Sequence, residues 1–198
     1  MDNPKRIGVF GGTFDPIHAG HLAIARAAQE QARLDKVLFV IAANPPHKEG
    51  AALTPAPLRV AMTEAAIADD PNFEVSRVEL DRAGPSYTVE TLALLHASLR
   101  PERLFFIVGY DSALDLPGWQ RPGEILELAT LLVAPRPQNT APLPPMIATN
   151  CTMLRMKEYP VSSSAIREHI ARGDDMSAWL PPPTQAILDA KGLYRADS

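Results

Sequence analysis

Short, unbroken apolar runs alternate along the chain with longer stretches of helical spacing. Arg6-Ile7-Gly8-Val9-Phe10 stops at Gly11-Gly12, which predicts a buried strand. Gly20 to Leu34 has no proline and places Leu22, Ala25, Ala28 and Ala32 at helical intervals. Val37 to Ile41 predicts a second strand, and Thr54-Pro55 opens a helix to about Ala68. Phe73-Glu74-Val75 together with Val78 to Leu80 reads as a third strand region, followed by a helix over Val89 to Leu99. Leu104 to Val108 and Thr130 to Ala134 are further strands, and Met146 to Met156 is expected to hold a sixth. Helices over Ser162 to Arg172 and Thr184 to Ala190 complete the pattern.

Strands that are apolar on both faces and alternate with helices imply a parallel sheet covered on both sides. The expected fold is therefore α/β, a Rossmann-like doubly wound parallel sheet. In such folds ligands bind beyond the carboxyl ends of the strands, near a topological switch point. The segments that follow Phe10, Ile41 and Val108, and the one before Ser162, are the places to search.

Composition changes this picture little. A chain of 198 residues, 46% apolar and 21% charged, suits one well-filled soluble domain. The best apolar run stops at Asn44, far short of a membrane span, and the start lacks signal-peptide anatomy. Cytoplasmic is the expected location, with no membrane partner. Cys151 is the single cysteine, so neither a disulfide framework nor a thiolate metal site is expected. A net charge of −4 argues against a nucleic-acid partner, though a few converging cations can still serve a small phosphorylated ligand. Twenty prolines concentrate in Pro45-Pro46, Ala134 to Pro145 and Pro181 to Pro183, read as loops and helix starts.

Four segments carry chemistry. Gly11-Gly12-Thr13-Phe14-Asp15-Pro16-Ile17-His18-Ala19-Gly20-His21 joins the first strand to the first long helix. Its glycines admit a ligand close to the backbone, and a helix N-terminus favours anions. His18 and His21, three apart, can face one anion; alternatives are a structural turn or a metal pair, and two histidines alone make a poor zinc site. Val161-Ser162-Ser163-Ser164-Ala165-Ile166-Arg167 supplies N-caps, and an arginine in a first turn is electrostatically out of place unless an anion is held there. Asn44-Pro45-Pro46-His47-Lys48 is a stiff loop ending in two potential cations, which taken alone reads as an exposed loop more readily than as a site. Gly84-Pro85-Ser86-Tyr87-Thr88 and Gly109-Tyr110-Asp111, running on to Trp119, form the last group. There Asp111 can accept from ribose hydroxyls and Trp119 offers a flat face, unless it is simply core.

The first segment resembles the TFDPIHxGH stretch of the HxGH nucleotidyltransferase superfamily, and the second resembles its ISSTxIR motif, with Val and Ser at two positions. The PPHK, GPSYT and GxDxxxxLxxW patterns are similar to those of one branch, bacterial nicotinate-nucleotide adenylyltransferase. The resemblance implies a single nucleotidyltransferase domain over 1–198, with a helical part from about 162. It implies transfer of AMP from ATP to nicotinate mononucleotide, giving deamido-NAD and pyrophosphate. His18, His21 and Arg167 would be catalytic, and the ATP site would add Gly11, Gly12, Thr13, Phe14, Gly109, Asp111, Ser162 and Ser163. Asp15, His47, Lys48, Thr88, Trp119 and Arg136 would serve the mononucleotide; Arg136 is followed by Gln138 where the family often has Gly. Mg2+ would be carried with ATP, with no metal site of the protein's own. Alternatives are a sibling transferase acting on phosphopantetheine or nicotinamide mononucleotide, a noncatalytic nucleotide-binding protein, or a fragment like a tRNA synthetase. Oligomeric state is not readable from the sequence, which is compatible with an oligomer.

Overall fold

The computed structural model describes residues 5–43, 53–82, 84–136, 141–157 and 159–195. Strand β1 (Arg6–Gly12) runs through the middle of the sheet, parallel to β2 (Lys36–Ile41) on one side and to β4 (Arg103–Gly109) on the other. Outside β2 lies β3 (Phe73–Ser76), and outside β4 lie β5 (Thr130–Ala134) and β6 (Cys151–Met153). All neighbours are parallel, in the order β3-β2-β1-β4-β5-β6. From β1 the chain travels outward to β3, then crosses back to β4 on the opposite side. That reversal opens a crevice beyond the carboxyl ends of β1 and β4.

The two faces of each strand feed two separate cores, as side-chain alternation along an extended backbone requires. Phe10, Phe39, Phe105 and Ile107 pack with helices α1 (Ala19–Ala32) and α2 (Ala56–Ile67). Ile7, Val9, Leu38, Phe106 and Val108 pack with α3 (Thr88–Leu99), α4 (Tyr110–Asp115), α5 (Pro122–Leu128) and α6 (Pro145–Ala148). The closing helices α7 (Ser163–Ala171) and α8 (Pro182–Lys191) return to the first face through Ile166 and Leu188. Helices on both faces make the sheet doubly wound, as the alternation of elements implied.

Three details differ from expectation. Residues Val78 to Leu80 are a turn, not strand: the β2–β3 ladder ends at Val40 opposite Ser76, and the Asp81 N–H donates to the Arg77 carbonyl at 3.0 Å. The buried Glu79 then accepts from the Thr91 hydroxyl at 2.8 Å, fastening that turn to α3. The region 146–156 divides between the short helix α6 and a three-residue strand β6. Helices α4 and α5, six and seven residues long, fall between β4 and β5 where no helix was expected. No helix among the described residues is long and apolar enough to cross a membrane.

Candidate active site

The chain leaves β1 at Gly12 and enters α1 at Ala19, and His18 is the N-cap residue between them. The His18 backbone N–H donates to Nδ1 of His21 at 3.2 Å. A neutral His21 therefore carries its proton on Nε2, leaving a donor on the far side of the ring. The two rings stack at 3.7 Å between centroids, and the His21 ring meets the edge of Phe14 at 5.1 Å. His18 is 5% exposed, its Nδ1 has no hydrogen-bond partner, and burial lowers its pKa from 6.5 to about 4. It is a neutral imidazole with an unspent ring nitrogen.

Gly20 makes this packing possible. A Cβ there would lie 3.1 Å from the His18 ring and 3.3 Å from Cβ of Tyr159. Gly11 and Gly109, at the carboxyl ends of β1 and β4, face open space instead, which leaves room for a ligand. The first turn of α1 is less open than its sequence implied. The Ala19 N–H is taken by the Trp179 carbonyl at 2.8 Å, so that N–H is not free at the helix end.

At the start of α7, Ser162 is the N-cap residue, its hydroxyl accepting from the Ala165 N–H at 3.2 Å. The next residues reach back to the loop after β1. The Ser163 hydroxyl donates to the Pro16 carbonyl at 2.9 Å, and Nη1 of Arg167 donates to the Asp15 carbonyl at 2.7 Å. From α2, the guanidinium of the buried Arg59 donates to the carbonyls of Thr13, Ala42 and Thr54, each at 2.9 Å. The carbonyls of Thr13, Asp15 and Pro16 are thus held by side chains from two different helices. The Asp15–Pro16 peptide is cis. The Asp15 side chain, fully buried, accepts from the Thr54 N–H at 3.2 Å and from the Tyr194 hydroxyl at 2.5 Å. Burial lowers the pKa of Arg59, and the negative charge of Asp15 opposes that shift.

A cavity of about 460 Å³ opens over these elements, lined among others by His18, Gly109, Asp111, Arg136, Tyr159 and Ser162. The carboxyl ends of β4 and β5, the start of α1 and the start of α7 all border it. Across its rim Arg136 Nη1 pairs with Asp111 Oδ2 at 2.6 Å, both side chains about half exposed. Tyr110 also borders the cavity, its hydroxyl donating to the Ala141 carbonyl at 2.7 Å. Among the described residues no group of three or more His, Cys, Asp or Glu side chains is arranged to hold a metal ion.

A family model described as cytidylyltransferase-like matches residues 9–169, which include both the Gly11–His21 and the Val161–Arg167 segments. A Thermus thermophilus protein described as a probable nicotinate-nucleotide adenylyltransferase is 45% identical over 193 residues, covering 96% of this chain and 100% of that one. A Roseiflexus sp. protein of the same description is 42% identical over 195 residues, covering 96% and 98%. Among solved structures, Plasmodium falciparum nicotinic acid mononucleotide adenylyltransferase complexed with NaAD shares the fold, with a TM-score of 0.80 at 18% identity over 96% of this chain and 97% of that one. The chain belongs to the nicotinate-nucleotide adenylyltransferase family.

Set against that family's motifs, the expected residues fall into three groups. His18, Gly109, Asp111, Arg136 and Ser162 line the one cavity, while His21, Ser163 and Arg167 stand next to it in the same constellation. Arg136 and Asp111, expected at different substrates, meet as an ion pair. A second group acts through the framework. Phe14 is 1% exposed and packs between Phe10 and Phe39, so its ring belongs to the core and only its backbone faces the loop. Thr13 offers its carbonyl to Arg59, and Asp15, expected at the mononucleotide, spends its carboxylate on Thr54 and Tyr194. The third group lies towards the opposite face. Thr88 begins α3, and the half-buried Trp119 meets Phe106 edge-on at 6.2 Å. His47 and Lys48 lie outside the described residues.

Sequence reasoning missed Arg59, Thr54 and Tyr194. Arg59 had a readable signal, since a charged residue sits one helical turn from the buried Met62 and Thr63 on the inner face of α2. Nothing in the sequence marks Tyr194, whose partner Asp15 is 179 residues away.

Proposed function

We propose that the protein transfers AMP from ATP to nicotinate mononucleotide, releasing pyrophosphate and forming deamido-NAD. The observation that carries this reading is the meeting of the His18–His21 pair with the Ser162–Arg167 segment over one cavity at the sheet's switch point. Two anion-seeking groups of residues, remote in sequence, serve one place. The 37–45% identity of the family relatives over nearly the whole chain points to the same reaction.

The chemistry asks for little beyond alignment and charge neutralisation. The mononucleotide phosphate is mostly a dianion at neutral pH and is already nucleophilic. One of its oxygens forms a bond to the α-phosphorus of ATP, and the bond from that phosphorus to the bridging oxygen breaks, its electron pair leaving with pyrophosphate. In-line placement and electrostatic stabilisation supply most of the acceleration in such transfers. His21 Nε2–H and the remaining N–H groups of Arg167 would face the departing phosphates, with His18 as a neutral partner and Ser162 at the helix start. Asp111 would receive ribose hydroxyls once its pairing with Arg136 is exchanged. Arg136, His47 and Lys48 would receive the mononucleotide phosphate, and Trp119 with Thr88 the pyridine end.

Mg2+ fits this site as a companion of ATP. The carboxylate lining the cavity, Asp111, is already paired, and the other groups there are imidazole, hydroxyl and guanidinium. Mg2+ prefers oxygen ligands and retains waters, so the triphosphate would hold it and it would spread negative charge.

Pyrophosphate release with Mg-ATP and three acceptors, nicotinate mononucleotide, nicotinamide mononucleotide and phosphopantetheine, tests the reading. A large preference for the acid mononucleotide is expected. Preference for either of the others would keep the phosphate site and discard the acceptor.

A further inference from the structure

We infer that Tyr194 is a positioning residue for the nucleotide-phosphate site, acting through Asp15 on Arg167. Its hydroxyl donates to Asp15 Oδ1 at 2.5 Å, and the same residue's carbonyl accepts Nη1 of Arg167 at 2.7 Å. Asp15 is buried with Tyr194 on its carboxylate and Arg167 on its carbonyl, so releasing the carboxylate anchor lets the residue shift and carries with it the peptide oxygen that aims the guanidinium. Thr54 completes the arrangement: its N–H holds the other carboxylate oxygen at 3.2 Å, and its hydroxyl donates to the Tyr194 oxygen at 3.1 Å.

Anchoring of the chain after α8 does not explain this phenol. The helix is docked by Leu188 in the core and by the Thr184 hydroxyl on the Met62 carbonyl at 3.4 Å, and Leu193 after it packs against the same core, so none of these contacts needs the phenolic hydroxyl. Tyr194 moreover adopts a left-handed backbone with φ of 63°, which is costly for a side chain of its size and persists where surroundings over-determine it. Burial and the Asp15 carboxylate both raise the pKa of the phenol, and the Arg167 charge, acting on it from close by, pulls the other way. The hydroxyl thus keeps its proton and remains a donor throughout the working pH range.

The inference rests on Arg167 serving ATP, and a two-residue cycle tests it. Tyr194→Phe keeps the ring and removes the donor. Losing a hydrogen bond to a buried carboxylate is expected to lower kcat/KM for ATP by about tenfold, with KM for the mononucleotide unchanged. In an Arg167→Ala background the same change should cost less than about twofold, because the group it positions is gone. Equal losses in both backgrounds, or wild-type kcat/KM in Tyr194→Phe, would overturn the inference. Where Tyr194→Phe does not fold, Thr54→Val runs the same cycle with an expected loss of about threefold. ATP affinity by calorimetry is measured in all four proteins. A wild type that binds ATP and transfers to none of the acceptors sinks the proposed reaction, while the affinities still decide the role of Tyr194.

Discussion

The imidazoles of His18 and His21 stack at 3.7 Å with 24° between their planes, and the backbone N–H of the first donates to the ring of the second. Burial holds the His18 pKa well below that of a free imidazole and keeps the ring neutral. One ring is thereby a fixed neutral neighbour against which the other is held.

That asymmetry has a cost in acid. In the unfolded chain His18 takes a proton below 6.5, whereas in the fold it resists protonation down to about 4. Its contribution to stability is fully present above 6.5 and is lost as pH falls towards 4. Urea unfolding at pH 7 and pH 5 should show the wild type losing about 2 kcal/mol more than His18→Asn between the two. Equal losses would mean that His18 titrates normally.

Removing the donor ring outright is the plainest test of the phosphate site. His21→Ala should unfold close to the wild-type temperature and lose on the order of 10²–10³ in kcat. Turnover at the wild-type rate would sink the assignment.

Gly20→Ala probes the same pair through space rather than charge. Alanine is the better helix former by about 1 kcal/mol, but its methyl would press on the His18 ring and on Tyr159. Thermal stability should change little, while kcat/KM for ATP should fall about tenfold as the ring is displaced by a few tenths of an ångström. Unaltered kinetics in the folded variant would show that the ring's position is not critical.

Arg59 is expected to matter for folding more than for turnover. Arg59→Met strips donors from the carbonyls of Thr13, Ala42 and Thr54 and leaves Asp15 buried without its neighbouring cation. Leaving buried acceptors without their charged donor typically costs about 1–3 kcal/mol. Arg59→Lys should recover only part of it, since a point charge cannot span three acceptors. A loss below about 1 kcal/mol would contradict the framework role.

The Asp111–Arg136 pair should behave in the opposite way. Arg136 is 54% and Asp111 45% exposed, so solvent screens their attraction and Arg136→Gln should cost less than about 1 kcal/mol of stability. Its effect should be kinetic, raising KM for the mononucleotide about tenfold at constant KM for ATP, the size expected for one charge-assisted phosphate contact. A rise in KM for ATP alone would assign Arg136 to the other substrate.

The strands were readable because a strand covered on both faces must be apolar throughout, and Val37 to Ile41 or Leu104 to Val108 have no other home. The two phosphate-site segments were readable because their residue types conflict with a bland helix start. Short elements were not: α4 spans six residues and β6 three, too few for periodicity to register. Val78 to Leu80 misled because its flanking apolar residues look like strand, while Glu79 between them is buried only by virtue of Thr91. Arg59 was readable as a charged residue on an inner helix face, but its carbonyl partners were not, and the bond from Tyr194 to Asp15 spans 179 residues with no pattern to announce it.

The loop of residues 13–16 is held from α7, and Arg167 lies 152 residues beyond the Asp15 carbonyl that it grips. At ribosomal rates of about 5–20 residues per second, roughly 8–30 s separate the emergence of the two. Through that interval the nascent chain has its histidines but not the arm that steadies them. The loop therefore gains this anchor only once α7 has been made, and a polypeptide ending before α7 would leave the Asp15 carbonyl without it.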